Sequence, residues 1–192
     1  MVQERIAKLR ELMKKNKIDA YMIVTDDFHG SEYVGDHFKC RAYMSGFTGS
    51  AGTLIVTQDM AGLWTDGRYF LQAGKQLKDT GIDLYKMGNK GVPTVHDFLV
   101  DKLKKDQTLG FDGRTVNAAE ALLLKEDLMK KGASLVSEID LVDEIWEERP
   151  ALSAKPLTIL EEQYAGESRE SKIERVRKVM EDKGADVFVL TS

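Results

Sequence analysis

Cysteine, proline and histidine are scarce in this sequence of 192 residues, which contains one cysteine, three prolines and three histidines. A lone cysteine cannot form an internal disulfide, and such a composition is typical of proteins from a reducing compartment. Apolar runs long enough to cross a bilayer, about 20 residues, are also missing, and the charged N-terminus has no signal-peptide core. The sequence therefore predicts a cytoplasmic protein with no membrane partner.

An excess of basic charge is missing as well. The 28 Lys and Arg residues are interspersed with 32 Asp and Glu residues, and the formal net charge is −4. A nucleic-acid-binding protein needs a basic face, so this pattern argues against a nucleic-acid partner. What is present is ordinary for a globular protein, with 42% hydrophobic and 31% charged residues. The length suits one domain of about 150 residues, with some chain left over.

Hydrophobic periodicity alternates between helical and strand spacing along residues 3–146. The predicted helices are residues 3–16, 68–77, 94–104, 117–131 and 139–146. The predicted strands are residues 20–24, 53–57, 61–64, 82–87, 108–111 and 135–136. The helix that Asn117 caps ends before a left-handed Gly132, and residues 53–64 form an antiparallel pair. This alternation predicts a layered α/β domain whose sheet is mixed.

Residues 172–192 resemble residues 5–25 at a constant offset of 167. The apolar positions of a helix and a following strand coincide, and four pairs are identical. These pairs are Ile6 and Ile173, Arg10 and Arg177, Met13 and Met180, and Asp19 and Asp186. The similarity predicts a second copy of the helix–strand unit, although any amphipathic helix before a buried strand has this pattern.

The predicted strand at residues 187–191 has no partner in the sequence that follows. Because natural proteins rarely leave such a strand edge unpaired, we expect the 192 residues to be part of a longer protein. The predicted division is a first domain at residues 1–155, followed at residues 156–192 by a linker and the start of a second, similar domain.

Common catalytic motifs are incomplete in the polar and glycine-rich stretch before residue 53. His37 and Cys40 are three residues apart, but neither HExxH nor CxxC accompanies them. Ser50 lacks the Gly-x-Ser-x-Gly elbow because position 48 is Thr48. The glycines at 46, 49 and 52 lead into a strand and no lysine follows, unlike a phosphate-binding loop. The stretch is therefore interpreted as a tight turn, and no complete catalytic apparatus is expected.

Arg68 is the exception, because Asp66 and Gly67 before it place it in the first turn of the predicted helix. A cation there opposes the helix dipole, so a compensating partner is expected. One candidate is an ion pair with Asp66; the other is a ligand anion or carbonyl bound by the guanidinium. The phrase recurs as Asp112-Gly113-Arg114 after another predicted strand, which favours a structural role in at least one of the two places.

Three phrases together resemble the N-terminal domain of the aminopeptidase P family, the Xaa-Pro aminopeptidases of the creatinase/prolidase group. They are SEYVGDHFKCRAYMSGFTGSAGTLIVT, LWTDGRYFLQAGKQL and LGFDGRTVNAAEA, and YAGES resembles the junction into the second domain of the three-domain form. The resemblance implies a three-layer α/β/α fold with a mixed central sheet. It also implies that a catalytic metallopeptidase domain follows the second domain, outside this sequence.

The resemblance implies an enzyme that removes the first residue from peptides whose second residue is proline. Two divalent metal ions, which are usually manganese in this family, would be held in the absent domain, so no metal ligand is assigned here. The family's substrate-contacting arginine corresponds to Arg68. Asp66 and Tyr69 would orient it, and His29 is a lesser candidate for the same rim.

Partners implied by the resemblance are the proline-containing peptide and the protein's own second and catalytic domains; a homodimer is also compatible with it. Two alternatives stay open. One is a peptide- or protein-binding relative without peptidase activity, and the other is a related prolidase- or creatinase-type hydrolase. Spaced Asp, His and Glu ligands in the rest of the protein would support the peptidase interpretation, and their absence would contradict it.

Overall fold

The computed structural model describes residues 1–190. The chain divides into two compact units, the first spanning Met1–Leu152 and the second beginning at Ser153. The first unit is built on one six-stranded sheet with the strand order β4-β3-β2-β1-β5-β6. Its strands are β1 (Ala20–Ile23), β2 (Thr53–Thr57), β3 (Ala61–Thr65), β4 (Asp83–Lys86), β5 (Thr108–Gly110) and β6 (Ser134–Val136).

The sheet is mixed, as predicted, because β2 runs against both of its neighbours. The pairs β1–β2 and β2–β3 are antiparallel, whereas β3–β4, β1–β5 and β5–β6 are parallel. All strands other than β2 therefore point the same way. Their carboxyl ends share one edge of the sheet, which is where ligands bind in many open α/β folds.

Helices cover both faces of the sheet. The helices of the first unit are α1 (Val2–Lys15), α2 (Cys40–Ser45), α3 (Phe70–Gln76), α4 (Val95–Lys102) and α5 (Ala118–Lys130). One core cluster joins α1, α2 and α3 to one face of the sheet, and a second joins α4 and α5 to the other. Neighbouring strand residues alternate between the two clusters, because successive side chains of a strand point to opposite faces. The predicted three-layer α/β/α fold is confirmed.

Local sequence signals explain several element ends. The Asn117 side chain accepts hydrogen bonds from the backbone N–H groups of Ala119 and Glu120, at 2.9 and 3.4 Å, and so caps α5. Gly132 follows the same helix with φ +74°, the left-handed conformation in which glycine is favoured. The short helix α2 has no counterpart among the predicted helices.

The predicted helix at residues 139–146 was wrong. The segment forms turns, in which the N–H groups of Ile145 and Trp146 both donate to Val142 O. The Asp140 carboxylate accepts from two backbone N–H groups of this turn and also binds Arg149 Nη1 at 2.7 Å. These contacts take the place of the continuous series of backbone hydrogen bonds that a helix at residues 139–146 would have.

The second unit contains α6 (Glu162–Ala165) and α7 (Arg169–Asp182). The bounds of α7 are those of α1 shifted by 167 residues. The helix ends correspond as well: Ile18 N donates to Met13 O, and Ala185 N donates to Met180 O, both at 2.9 Å. Residues Lys17 and Gly184, again 167 apart, have φ angles of 57° and 62°.

The predicted strand at residues 187–191 is not formed in the part of the chain that the structure describes. Residues 187–190 are exposed and carry no strand pairing, and Thr191 lies outside the described residues. A strand is stabilised by hydrogen bonds to a neighbouring strand. Within the described second unit, residues 187–190 have no such neighbour.

Candidate functional site at the carboxyl edge of the sheet

A cleft lies at the carboxyl edge of the first unit's sheet. It contains a cavity of about 670 Å³, lined by residues that follow β1, β3, β4 and β5 and by the turn that precedes β2. A second cavity of about 460 Å³ shares Thr25, Glu32 and Ser50 with the first. The glycine-rich turn thus separates two adjoining spaces, and Arg68 lines the larger one.

Arg68 is held by Asp66 through three hydrogen bonds. The Arg68 backbone N–H and Nε donate to Asp66 Oδ1 at 3.0 and 2.9 Å, and Nη2 donates to Oδ2 at 2.8 Å. The hydrogen bonds from Arg68 lower the pKa of the Asp66 carboxyl. The ion pair is therefore present, but Arg68 was wrongly placed in the first helical turn. Helix α3 begins at Phe70, so Arg68 belongs to the turn before it.

The second Asp-Gly-Arg phrase has the same local geometry. Arg114 donates from its backbone N–H and Nε to Asp112 Oδ1 at 3.1 and 2.8 Å, and from Nη2 to Oδ2 at 2.9 Å. It also reaches Asp140 at 3.3 Å, and its guanidinium lies over the Phe28 ring at 4.9 Å. This phrase is thus a local structural unit that folds an arginine onto the preceding aspartate after a strand.

Arg68 differs from Arg114 in what its outer edge faces. The Arg68 side chain is 67% exposed, and its Nη1 makes none of the hydrogen bonds found within residues 1–190. Arg68 lines the larger cavity, whereas Arg114 lines neither cavity of the cleft. The Arg68 guanidinium is therefore fixed on one edge and available on the other to a carbonyl or carboxylate oxygen.

Tyr69 joins Arg68 to the glycine-rich turn. Its ring lies 5.2 Å from the Arg68 guanidinium carbon, and its hydroxyl is 2.6 Å from Ser50 Oγ. Asp66 and Tyr69, the two predicted neighbours of Arg68, thus both contact its guanidinium. Ser50 is a hydrogen-bond partner of a tyrosine in this arrangement, with no histidine beside it among its described contacts.

Arg41 is the site residue that sequence reasoning missed. Its side chain is buried, with only 3% of the residue exposed. Nε donates to Thr25 Oγ1 at 2.9 Å, and the two terminal nitrogens donate to the carbonyls of Phe47 and Gly49. Arg41 thus binds the glycine-rich turn through two of its backbone carbonyls. No motif signals such a role, because the acceptors are backbone carbonyls that every residue has.

The other candidate residues do not join the Arg68 site. His29 is exposed in a turn, its backbone N–H donates to Asp27 Oδ1 at 2.8 Å, and it lines neither cavity. His37 Nδ1 contacts Pro150 O at 2.8 Å. Burial raises the pKa of the Cys40 thiol to about 12, which disfavours the thiolate that binds zinc.

Within residues 1–190, no group of three or more His, Cys, Asp or Glu side chains is placed to hold a metal ion. Among the helices of residues 1–190, none combines the length and the hydropathy of a membrane-spanning segment. Besides Arg68, the ionisable side chains that line the larger cavity are Asp26, Glu32, His96 and Glu120.

The first unit is a three-layer α/β domain with a mixed sheet and two Asp-Gly-Arg turns. Comparison with known proteins identifies the family to which this domain belongs. A family model described as creatinase/prolidase N-terminal domain matches residues 5–145, and a second model of the same description matches residues 148–192. The chain belongs to the creatinase/prolidase N-terminal domain family. The family predicted from the three sequence phrases is confirmed.

Individual relatives carry aminopeptidase names. A probable Xaa-Pro aminopeptidase P of Tuber melanosporum (strain Mel28) is 42% identical over 190 residues, covering 97% of this chain and 30% of that protein. Aminopeptidase P2 of Arabidopsis thaliana is 42% identical over 196 residues, covering 100% of this chain and 28% of that protein. The chain thus spans less than a third of the length of these relatives.

A solved structure shares the fold across nearly the whole chain. It is an X-prolyl aminopeptidase from Caenorhabditis elegans, described as a cytosolic enzyme with a di-nuclear active site. The TM-score is 0.86 at 34% identity, with 97% of this chain and 32% of that chain covered.

Proposed function

We propose that this chain is the non-catalytic N-terminal region of an Xaa-Pro aminopeptidase, which releases the first residue from peptides with proline second. The observation that carries the proposal is Arg68, pinned by Asp66 on one edge and open to the cleft on the other. The aminopeptidase names of relatives that cover the chain from end to end support it. A cytoplasmic location agrees with the cytosolic description of the nematode enzyme.

The bond-breaking chemistry belongs, in this proposal, to a domain outside the 192 residues. Two divalent metal ions, manganese by preference, would activate water there, and the di-nuclear site of the nematode relative supports that number. The side chains described here do not fit a metal site, so no step of the reaction is assigned to them. The contribution of this chain is to bind and orient the peptide.

We further propose that residues 156–192 are a linker and the beginning of a second domain similar to the first. The equal length of α1 and α7, their matching hydrogen bonds at the helix end and the second family match at residues 148–192 support this division. The exposed apolar residues of α7 would then form the start of that domain's core.

In the proposed complex, Arg68 donates a hydrogen bond from Nη1 to a carbonyl or carboxylate oxygen of the bound peptide. Asp66 occupies Nε and one hydrogen of Nη2, which fixes the guanidinium plane and leaves its outer edge for the substrate. Such preorganisation lowers the conformational entropy lost when the peptide binds.

The test is the substitution Arg68→Ala in the full-length enzyme, assayed on Xaa-Pro peptides of several lengths. Loss of one charge-assisted hydrogen bond costs about 1–3 kcal/mol, so we expect kcat/KM to fall by about 5- to 150-fold. Arg114→Ala is the matched control, because it removes the same Asp-Gly-Arg ion pair from an arginine that lines neither cavity of the cleft. Unchanged kcat/KM for Arg68→Ala on both short and long peptides would contradict the proposed contact.

A further inference from the structure

A buried arginine supports the turn against which Tyr69 rests. The charge of Arg41 is met by three uncharged oxygens, the hydroxyl of Thr25 and the carbonyls of Phe47 and Gly49. None of the ion pairs found within residues 1–190 includes Arg41. Burial accordingly lowers its pKa to about 10. Burying a cation without an anion is costly. If Arg41 served only to close the turn, an uncharged side chain could do so at a lower desolvation cost.

The turn that Arg41 holds is shaped to receive Tyr69. A Cβ on Gly49 would lie 2.7 Å from Tyr69 Cδ1, and closer still to the Phe47 ring. The Phe47 and Tyr69 rings meet edge to face, with centroids 5.8 Å apart. Ser50, the next residue, takes the Tyr69 hydroxyl at 2.6 Å. The Tyr69 ring therefore packs against Phe47 and Gly49, whose carbonyls accept hydrogen bonds from Arg41, and its hydroxyl bonds to Ser50, the residue that follows Gly49.

Tyr69 in turn is adjacent to Arg68 in both sequence and space. The guanidinium carbon of Arg68 lies over the Tyr69 ring, 5.2 Å from its centroid, and its Nη2 is paired with Asp66. A shift of Tyr69 would move the backbone at which the Arg68 side chain begins. An unbroken series of contacts thus leads from the buried guanidinium of Arg41 to the exposed guanidinium of Arg68.

We propose that Arg41 is a positioning residue for substrate binding: through the glycine-rich turn, Ser50 and Tyr69, it sets the place of the Arg68 guanidinium. The inference rests on the proposed function, because it takes Arg68 to be the peptide contact. Arg41 itself touches no substrate in this scheme. Its effect is on how tightly the peptide is held, with the chemical step left unchanged.

The experiment measures KM and kcat separately in the full-length enzyme for Ser50→Ala and Arg41→Lys, each with Arg68 present and with Arg68→Ala. Ser50→Ala removes one neutral hydrogen bond from an exposed hydroxyl, so the protein should fold and KM should rise about threefold. Arg41→Lys keeps the charge but cannot bridge three acceptors, and KM should rise about tenfold. In both cases kcat should stay constant, as for an interaction equally strong in ground and transition states.

The background variant separates positioning from simple stabilisation. If Ser50 and Arg41 act through Arg68, neither substitution should raise KM further once Arg68→Ala is present. Ser134→Ala is the matched control, because it breaks a hydroxyl pair of 2.8 Å with Thr108 outside the cleft, and KM should not change.

Three results would overturn the inference. An equal rise in KM with and without Arg68 would show that the turn acts on folding or on another contact. No rise in KM for either variant, when Arg68→Ala alone raises KM, would exclude the positioning role of Arg41 and leave the proposed function intact. No effect of Arg68→Ala would remove the proposed contact itself and the inference with it. Where Arg41→Lys does not fold, the Ser50→Ala pair decides.

Discussion

Ile6 and Ile173 occupy equivalent positions of α1 and α7, 167 residues apart, but their surroundings differ. Ile6 is 4% exposed in the core of the first unit, whereas Ile173 is 50% exposed. Replacing isoleucine by alanine removes three carbons, at about 0.8 kcal/mol for each when buried. For Ile6 this gives about 2.4 kcal/mol, and the cavity left behind raises the loss of unfolding free energy to about 3–4 kcal/mol. Half-exposed Ile173 leaves no cavity, so its loss should stay below about 1 kcal/mol.

Urea unfolding of the 192-residue chain measures both values. Trp64 and Trp146 are the only tryptophans of the sequence, and both lie in the first unit. Their fluorescence should report the Ile6→Ala shift, and circular dichroism at helical wavelengths should detect any change caused by Ile173→Ala. A loss below about 1 kcal/mol for Ile6→Ala would refute the packing argument.

The same pair tests the proposed second domain in the full-length protein. If α7 packs on a second sheet as α1 packs on the first, Ile173→Ala should become as destabilising as Ile6→Ala. Hydrogen exchange of the two helices resolves the two losses separately. An Ile173→Ala variant that remains neutral in the full-length protein would contradict the proposal that residues 156–192 begin a domain of the same kind.

Two further predictions concern the turn and a surface carboxylate. Gly49→Ala should lower the unfolding free energy by about 1–3 kcal/mol, because the added Cβ would overlap aromatic rings. Gly74 lies in helix α3 with open space around it, so Gly74→Ala should raise the unfolding free energy by up to about 1 kcal/mol. Thermal melts of the two variants compare these effects. Hydrogen bonds from Thr57 and Lys102 lower the pKa of Asp59 from 3.8 to about 2. Its stabilising contribution is therefore present above about pH 4 and lost as the pH falls towards 2, so Asp59→Asn should destabilise at pH 7 and have no effect near pH 2 in urea unfolding.

Much of the fold follows from signals that are local in sequence. Two short apolar runs on either side of a polar turn predicted the β2–β3 pair, and Asn117 and Gly132 predicted both ends of α5. These signals work because strand pairing over a short turn and helix capping involve neighbours in the chain. The three-layer arrangement then follows from burying both faces of the sheet.

The failures arise where distant residues decide the structure. The apolar spacing of residues 139–146 predicts a helix, but the Tyr21 hydroxyl donates to Ile139 O at 2.8 Å and accepts from Leu141 N at 3.0 Å. These bonds join β1 to a segment about 120 positions later, which no local pattern reveals. Arg41 was missed for the same reason, since burial of an arginine against carbonyls leaves no trace in the spacing of residues.

The two Asp-Gly-Arg turns show why the site was only half predictable. Their hydrogen bonds agree to within about 0.1 Å, so the phrase itself specifies a geometry and no more. The surroundings separate them: Arg114 has a second carboxylate in Asp140 and lies over an aromatic ring, whereas Arg68 faces a cavity with Nη1 free of hydrogen bonds among the described residues. A ligand role depends on what the guanidinium faces after its own aspartate is satisfied. That is set by Tyr69 and the turn beneath it, and therefore by the packing of the whole carboxyl edge.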